Sequence, residues 1–177
     1  MFVKGLLIGI VICISIGAIL FFIKTDISVT EKVNLDKSSF EILNEIVDLK
    51  NFQKWDPSAV KDSAVTIEFI GEPGVGMRAI TKGVKGIFIS EYEVLEIEPL
   101  ESAKLVLRLV GVSDLIYTFK VVDLKHGSEL TWNVNFRAPL FATVVGVHDK
   151  IKNEFKKGFN VLKKRLKHLP THALYFE

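Results

Sequence analysis

The chain has 177 residues, nearly half of them hydrophobic, and a formal charge of only +2. So small a basic excess gives no electrostatic case for a nucleic-acid partner, and a single cysteine, Cys13, excludes an internal disulfide or a thiolate metal site. With the N-terminal hydrophobic run set aside, about 150 residues remain, enough for one domain with its own core.

That run, Gly5 to Ile23, is uncharged and bounded by Lys4 and Lys24. As a helix rising about 1.5 Å per residue it covers about 28 Å, close to the thickness of bilayer hydrocarbon. It ends Ile19-Leu20-Phe21-Phe22-Ile23 with no small-x-small cleavage site, and Ile10-Val11-Ile12 before Cys13 lack the small residues of a lipoprotein site. Residues 1–24 are therefore expected to form an uncleaved, single-pass transmembrane anchor. Gly5-x-x-x-Gly9 has the small-xxx-small spacing of helix packing, although glycine is common in membrane helices for other reasons. Lys4 and the N-terminal amine are nearly balanced by Lys24, Lys32 and Lys37, and because a four-residue N-terminal tail more often stays in the cytoplasm, the domain is expected on the extracytoplasmic side.

From Ile27 the pattern alternates. Ile27, Val29, Val33 and Leu35 share one face with Glu31, which marks a first strand. Ser38-x-x-Glu41 is a capping-box spacing, and Phe40, Leu43, Ile46 and Val47 supply the apolar face of a helix that stops near Asp48. A short turn over Asn51 to Trp55 ends at Asp56-Pro57, because the residue before a proline is pushed out of the helical region. Six further strands are expected: 65–70, 77–82, 86–97, 104–110, 115–122 and 130–136. The run from Phe141 to Leu166 places Val144, His148, Ile151, Phe155, Phe159, Leu162 and Leu166 at spacings of three and four, the stripe of one long amphipathic helix. Strands with helices grouped after the first and at the end read as an antiparallel α+β domain over residues 25–168. Residues 169–177 form a tail expected to be poorly ordered.

Four segments in this order resemble the polyketide cyclase/dehydrase and lipid-transport family, of the SRPBCC or START-like superfamily. They are Leu35-Asp36-Lys37-Ser38-Ser39-Phe40 with Asn51-Phe52-Gln53-Lys54-Trp55-Asp56-Pro57, then Gly71-Glu72-Pro73-Gly74-Val75-Gly76, then Gly127-Ser128-Glu129-Leu130-Thr131-Trp132, and finally Phe155 to Leu162. The resemblance implies a helix-grip fold, in which a curved antiparallel sheet of about seven strands wraps the C-terminal helix and leaves a cavity between them. Many short members have no shown chemistry, so the resemblance does not by itself imply an enzyme or a cofactor.

Such a cavity would be lined by the inward parity of the strands and by the last helix. The residues nominated to line it and bind a ligand are Trp55, Phe88, Tyr92, Leu107, Tyr117, Phe119, Trp132, Phe136 and His148. Tyr92, Tyr117 and Trp132 stand out, because a buried hydroxyl or indole N–H needs a partner that a ligand or water can supply. His148 falls on the apolar stripe, where a side chain of pKa about 6.5 can donate to a ligand or act as acid or base; the plainer expectation is a histidine at the cavity mouth. Glu31 is expected to pair with a lysine or to lie where the strand reaches water, and Arg108 to face outward. The four histidines lack metal-ligand spacing, no serine or cysteine stands in a nucleophile elbow, and Gly74-x-Gly76 lacks a dinucleotide setting. No metal and no cofactor is expected. The lysines and arginines of the last helix can meet anionic headgroups, but no aromatic platform accompanies them for nucleic acid.

The resulting expectation is a membrane-anchored domain that binds a hydrophobic or amphipathic small molecule, lipid or polyketide-like. A cyclase or dehydratase using His148 and a tyrosine is the first alternative, and a structural domain with a filled core the second. The oligomeric state is left open.

Overall fold

The computed structural model describes residues 2–57 and 64–169, with the backbone alone for residues 2–8 and 18. The tail from Pro170 to Glu177 lies outside the described residues.

Helix α1 (Phe2–Phe22) runs almost directly into strand β1 (Lys24–Leu35), with Ile23 alone between them. Apart from Leu20, its described side chains, Ile10, Val11, Ile12, Ile14, Ile16, Ile19, Phe21 and Phe22 among them, are exposed. Among the described residues no helix is long and apolar enough to cross a membrane. The expected transmembrane span over residues 5–23 is thus reduced to a helix with exposed apolar side chains. Gly5, half of the proposed packing pair, falls among the residues whose side chains are not described.

After β1 come α2 (Ser39–Val47) and α3 (Leu49–Phe52), then β2 (Thr66–Ile70), β3 (Arg78–Lys82), β4 (Phe88–Glu98), β5 (Ser102–Leu109), β6 (Leu115–Asp123), β7 (Ser128–Pro139), α4 (Leu140–Val144) and α5 (Val147–His168). The strands form one antiparallel sheet in the order β1-β7-β6-β5-β4-β3-β2. The capping box is made as its spacing predicts. The Ser38 hydroxyl accepts from the Glu41 N–H at 3.4 Å, and the Glu41 carboxylate accepts from the Ser38 N–H at 3.1 Å. Asp48 ends α2 and caps α3, accepting from the Lys50 N–H at 2.9 Å.

Antiparallel order puts the connections alternately at two ends of the sheet. At the end where α1 enters, Lys24 pairs Pro139, Leu107 pairs Leu115 and Lys82 pairs Phe88. The β3–β4 and β5–β6 connections and α4 therefore sit together there. The β2–β3, β4–β5 and β6–β7 turns lie at the far end.

The expected single helix over 141–166 is two. Gly146, at φ 73° in the left-handed region that glycine enters at least cost, separates α4 from α5. Burial along α5 begins only at Phe155 and continues through Gly158, Phe159, Leu162 and Leu166, with Val147 and Ile151 partly covered. Glu31 does meet a lysine, Lys152, at 3.8 Å. Arg108 lies on the outer face between Glu93 at 2.7 Å and Glu91 at 3.0 Å.

At the far end Asp123 ties β6 to the start of α2. Its carboxylate accepts from the Ser39 N–H at 3.0 Å and the Ser39 hydroxyl at 3.1 Å, and lies 2.7 Å from the Ser128 hydroxyl. The Ser128 contact, then the Ser39 bonds, hold its pKa below the ordinary carboxylate value against the opposing effect of burial. A depressed native pKa means stability present above the unfolded pKa and lost as pH falls through the folded one. Asp123→Asn is therefore expected to flatten the acid limb of a denaturation series run below about pH 4. An unchanged limb would show that other carboxylates carry it. Nearby, a Cβ on Gly127 would stand 2.1 Å from the Leu35 carbonyl oxygen, so only glycine admits β1 this close to the turn.

Candidate functional site

The concave face of the sheet presents Tyr92, Leu107, Tyr117, Phe119 and Trp132, all buried. Their alternation along the strands brings them to one side. Phe52 and Trp55 close over them from α3 and the turn after it, and Phe155 and Phe159 from α5. Trp132 and Phe155 stack with centroids 4.1 Å apart and planes at 13°. Trp55 meets Trp132 edge-on at 5.5 Å, and Phe52 meets Trp55 at 4.8 Å and Tyr92 at 5.2 Å. Such ring pairs add stabilisation to the area they bury. Gly158 makes room for them: a Cβ there would come 2.9 Å from Pro57 Cδ and 3.1 Å from Trp132 Cζ3.

Polar groups enter this apolar interior at few points. Asp56, 1 % exposed, accepts a hydrogen bond from the Tyr92 hydroxyl at 2.6 Å. The Trp55 indole donates to the Glu45 carbonyl at 3.3 Å. The Trp132 indole N–H is buried and meets no acceptor among the described residues. From Tyr92 toward the α1 end, the same parity carries the buried hydroxyls of Ser90 and Thr81, which pair across β3 and β4. Beyond them Leu109, Leu115, Phe136, Ala142, Val147 and Ile151 pack on the core while partly covered. The interior thus grades from packed rings to a hydroxyl-bearing stretch and then to a loosely covered apolar margin.

Of the nominated residues, Trp55, Tyr92, Leu107, Tyr117, Phe119 and Trp132 fall together in this interior, and Phe136 lies at its margin. Phe88, at the first position of β4, is 39 % exposed. His148 stands in the first turn of α5, half its side chain in solvent, its Nδ1 3.9 Å from the Asp149 carboxylate. Its spacing puts it on the stripe, but the stripe is not covered until Phe155, so His148 is not brought in beside the tyrosines. The sequence marks Asp56 only as the end of a turn. The Asp56–Tyr92 pair joins positions 36 apart, and no local signal links them. Among the described residues no group of three histidine, cysteine, aspartate or glutamate side chains could hold a metal. A cleft of about 460 Å³ also opens near the α1 end, between Asp26–Ser28 of β1, Ser113, Asp114 and Ile116 at the start of β6, and Asn135–Arg137 of β7. It lies largely on the other parity of β1 and β7, away from the buried rings.

A family model described as polyketide cyclase / dehydrase and lipid transport matches residues 26–167. No curated protein matches the chain. Among solved structures, a protein of unknown function from Staphylococcus aureus superposes with a TM-score of 0.63 at 9 % identity, covering 82 % of this chain and 98 % of that one. Norcoclaurine synthase from Thalictrum flavum, solved in complex with dopamine and hydroxybenzaldehyde, gives 0.60 at 16 % identity over 83 % and 90 %. An uncharacterized protein from Rhizobium leguminosarum gives 0.59 at 10 % over 83 % and 98 %. At these identities the likeness is one of fold: an α+β domain with a seven-stranded antiparallel sheet and a long C-terminal helix.

Proposed function

This chain belongs to the polyketide cyclase/dehydrase and lipid-transport family, and from that premise we propose that it binds a hydrophobic or amphipathic small molecule between the concave sheet and α5. The observation that carries the reading is the Trp132 N–H, buried among apolar rings with no acceptor among the described residues. A buried donor left unmatched costs about 1–3 kcal/mol, which a ligand carbonyl or hydroxyl can recover. Tyr92, Ser90 and Thr81 offer further polar contacts toward the margin, and the apolar remainder favours burial of ligand hydrocarbon at about 25 cal/mol per Å². That a fold neighbour holds small aromatic molecules agrees with this class of occupant.

The reading includes attachment to a membrane through residues 5–23, with the domain on the extracytoplasmic side. It is supported by the exposed isoleucines of α1 together with Val11, Phe21 and Phe22. Retention of the full chain in a carbonate-washed membrane pellet, and digestion of the domain by protease added outside intact cells, are the expected results.

The test of binding is native mass spectrometry of the full chain in detergent, purified from its own host, with organic extraction of bound material. A co-purifying apolar mass, reduced in Trp132→Phe, is expected. A clean apo mass with no thermal shift across a lipid panel would favour a purely structural domain. A second reading, acid–base catalysis, is favoured by the buried Asp56 carboxylate 2.6 Å from the Tyr92 hydroxyl rather than by His148. Asp56→Asn would then abolish turnover of the co-purified compound while its binding is kept.

A further inference from the structure

Exposed apolar side chains are gathered at the α1 end of the domain. The β3–β4 connection turns Val84 and Ile87 outward, held there by Lys85 at φ 61°, and Phe88 follows them. The β5–β6 connection exposes Val110 and Val112. Phe141, Val144 and Val145 do the same on α4 and the residue after it. In these three connections, residues 83–87, 110–114 and 140–146, Lys85 and Asp114 are the charged residues. Far-end turns differ, each exposing one apolar residue beside a charge: Val75 near Glu72, Leu100 next to Glu101, Leu124 next to Lys125.

Helix α1 leaves the domain through this same rim. The Leu140 N–H at the start of α4 donates to the Ile23 carbonyl at 2.7 Å, which fixes the helix exit against α4. Ile10, Val11, Ile12, Ile14 and Ile16 are all exposed, and at 100° per residue they spread over about 240° of the helix surface rather than along one stripe. A protein groove covers one stripe of a helix; a lipid phase covers every side. The occupant common to α1 and to the rim around its exit is therefore lipid.

We propose that the α1 end of the domain docks on a bilayer surface, with Val84, Ile87, Val112, Phe141 and Val144 set into the boundary between headgroups and acyl chains. The orientation rests on the membrane attachment proposed above; the rim itself rests on the exposure of its loops. Docked in this way, the loosely covered margin at Leu109, Leu115 and Phe136 faces lipid, and the concave interior takes its ligand from the membrane instead of from water.

The experiment uses the full chain in vesicles of phosphatidylcholine and phosphatidylglycerol. In a Cys13→Ser background, single cysteines at Val84, Val112 and Val144, and far-end controls at Val75, Leu100 and Leu124, carry an environment-sensitive fluorophore; a separate sample is labelled at the native Cys13. All six introduced sites are exposed, so folding is expected to be kept and is checked by thermal unfolding. Lipids brominated in the upper acyl chain are expected to quench the three rim labels about twofold, as burial at the interface predicts, and to leave the far-end labels unquenched. If the Cys13 label is quenched while rim and far-end labels behave alike, α1 attaches and the docking is overturned. With neither Cys13 nor the rim quenched, both readings fall. Rim quenching by the upper-chain bromines, with the Cys13 label unquenched also by lipids brominated deep in the acyl chain, upholds docking and removes the attachment through α1.

Discussion

Arg165→Met is expected to destabilise the domain by about 3–5 kcal/mol, the range found when one partner of a buried ion pair is removed. The Arg165 Nε lies 2.6 Å from the Glu45 carboxylate, whose side chain is only 7 % exposed, and Nη2 reaches Asn51 Oδ1 at 3.0 Å. Without the guanidinium, α2 keeps a carboxylate that neither solvent nor another cation reaches well. Removing both charges should cost far less, since two buried ions replaced by apolar groups give up their attraction and their desolvation together. The check is urea denaturation of Arg165→Met, Glu45→Met and the double variant in one detergent. A single-variant loss below about 1 kcal/mol, the value of an ordinary surface pair, would show that the site is wetter than its exposure indicates.

Trp132→Ala is expected to cost about 3–5 kcal/mol as well, but through packing. The ring lies flat on Phe155 and touches Trp55, Phe119 and Phe159, so its loss opens a cavity that several rigid rings cannot close. The phenylalanine variants separate ring from N–H. Trp55→Phe discards the bond to the Glu45 carbonyl and leaves that oxygen unmatched, whereas Trp132→Phe removes a donor with no acceptor among the described residues. Trp132→Phe should therefore be the milder of the two in thermal unfolding, by about 1 kcal/mol. The opposite order would mean that the Trp132 N–H is satisfied in solution. Because Trp132→Phe keeps an aromatic ring in place of the larger indole, it costs much less packing than Trp132→Ala, and its effect on bound ligand can be read on a folded domain.

What could be read in advance was whatever is written in local spacing. Ser38 and Glu41 stand three apart, and their reciprocal bonds form as expected. The alternation of Tyr117, Phe119 and Val121 assigns a parity that the sheet keeps. Periodicity assigns faces, though, not neighbours. Glu45 and Arg165 are 120 positions apart, and Asp56 and Tyr92 are 36 apart, so nothing local announces either pair. The break at Gly146 escaped for a related reason: Val144 and His148 keep helical spacing across it, and a glycine alone does not reveal a left-handed backbone. His148 shows the limit most clearly, since a stripe says which side of a helix is apolar but not where along its axis the covering sheet begins.

The near absence of a linker between α1 and β1 bears on how the domain takes load. β1 is an edge strand paired along all twelve of its residues with β7, from Lys24 opposite Pro139 to Leu35 opposite Ser128. α5 starts at the α1 end and carries the chain toward the far end. Tension between the N-terminal helix and the far end of α5 therefore draws β1 along its own axis past α5, and while α5 stays seated, with Lys152 beside Glu31, the β1–β7 hydrogen bonds are loaded together, in shear, instead of being opened one at a time like a zip. The domain is wired to resist being pulled from its helix more strongly than its size would suggest.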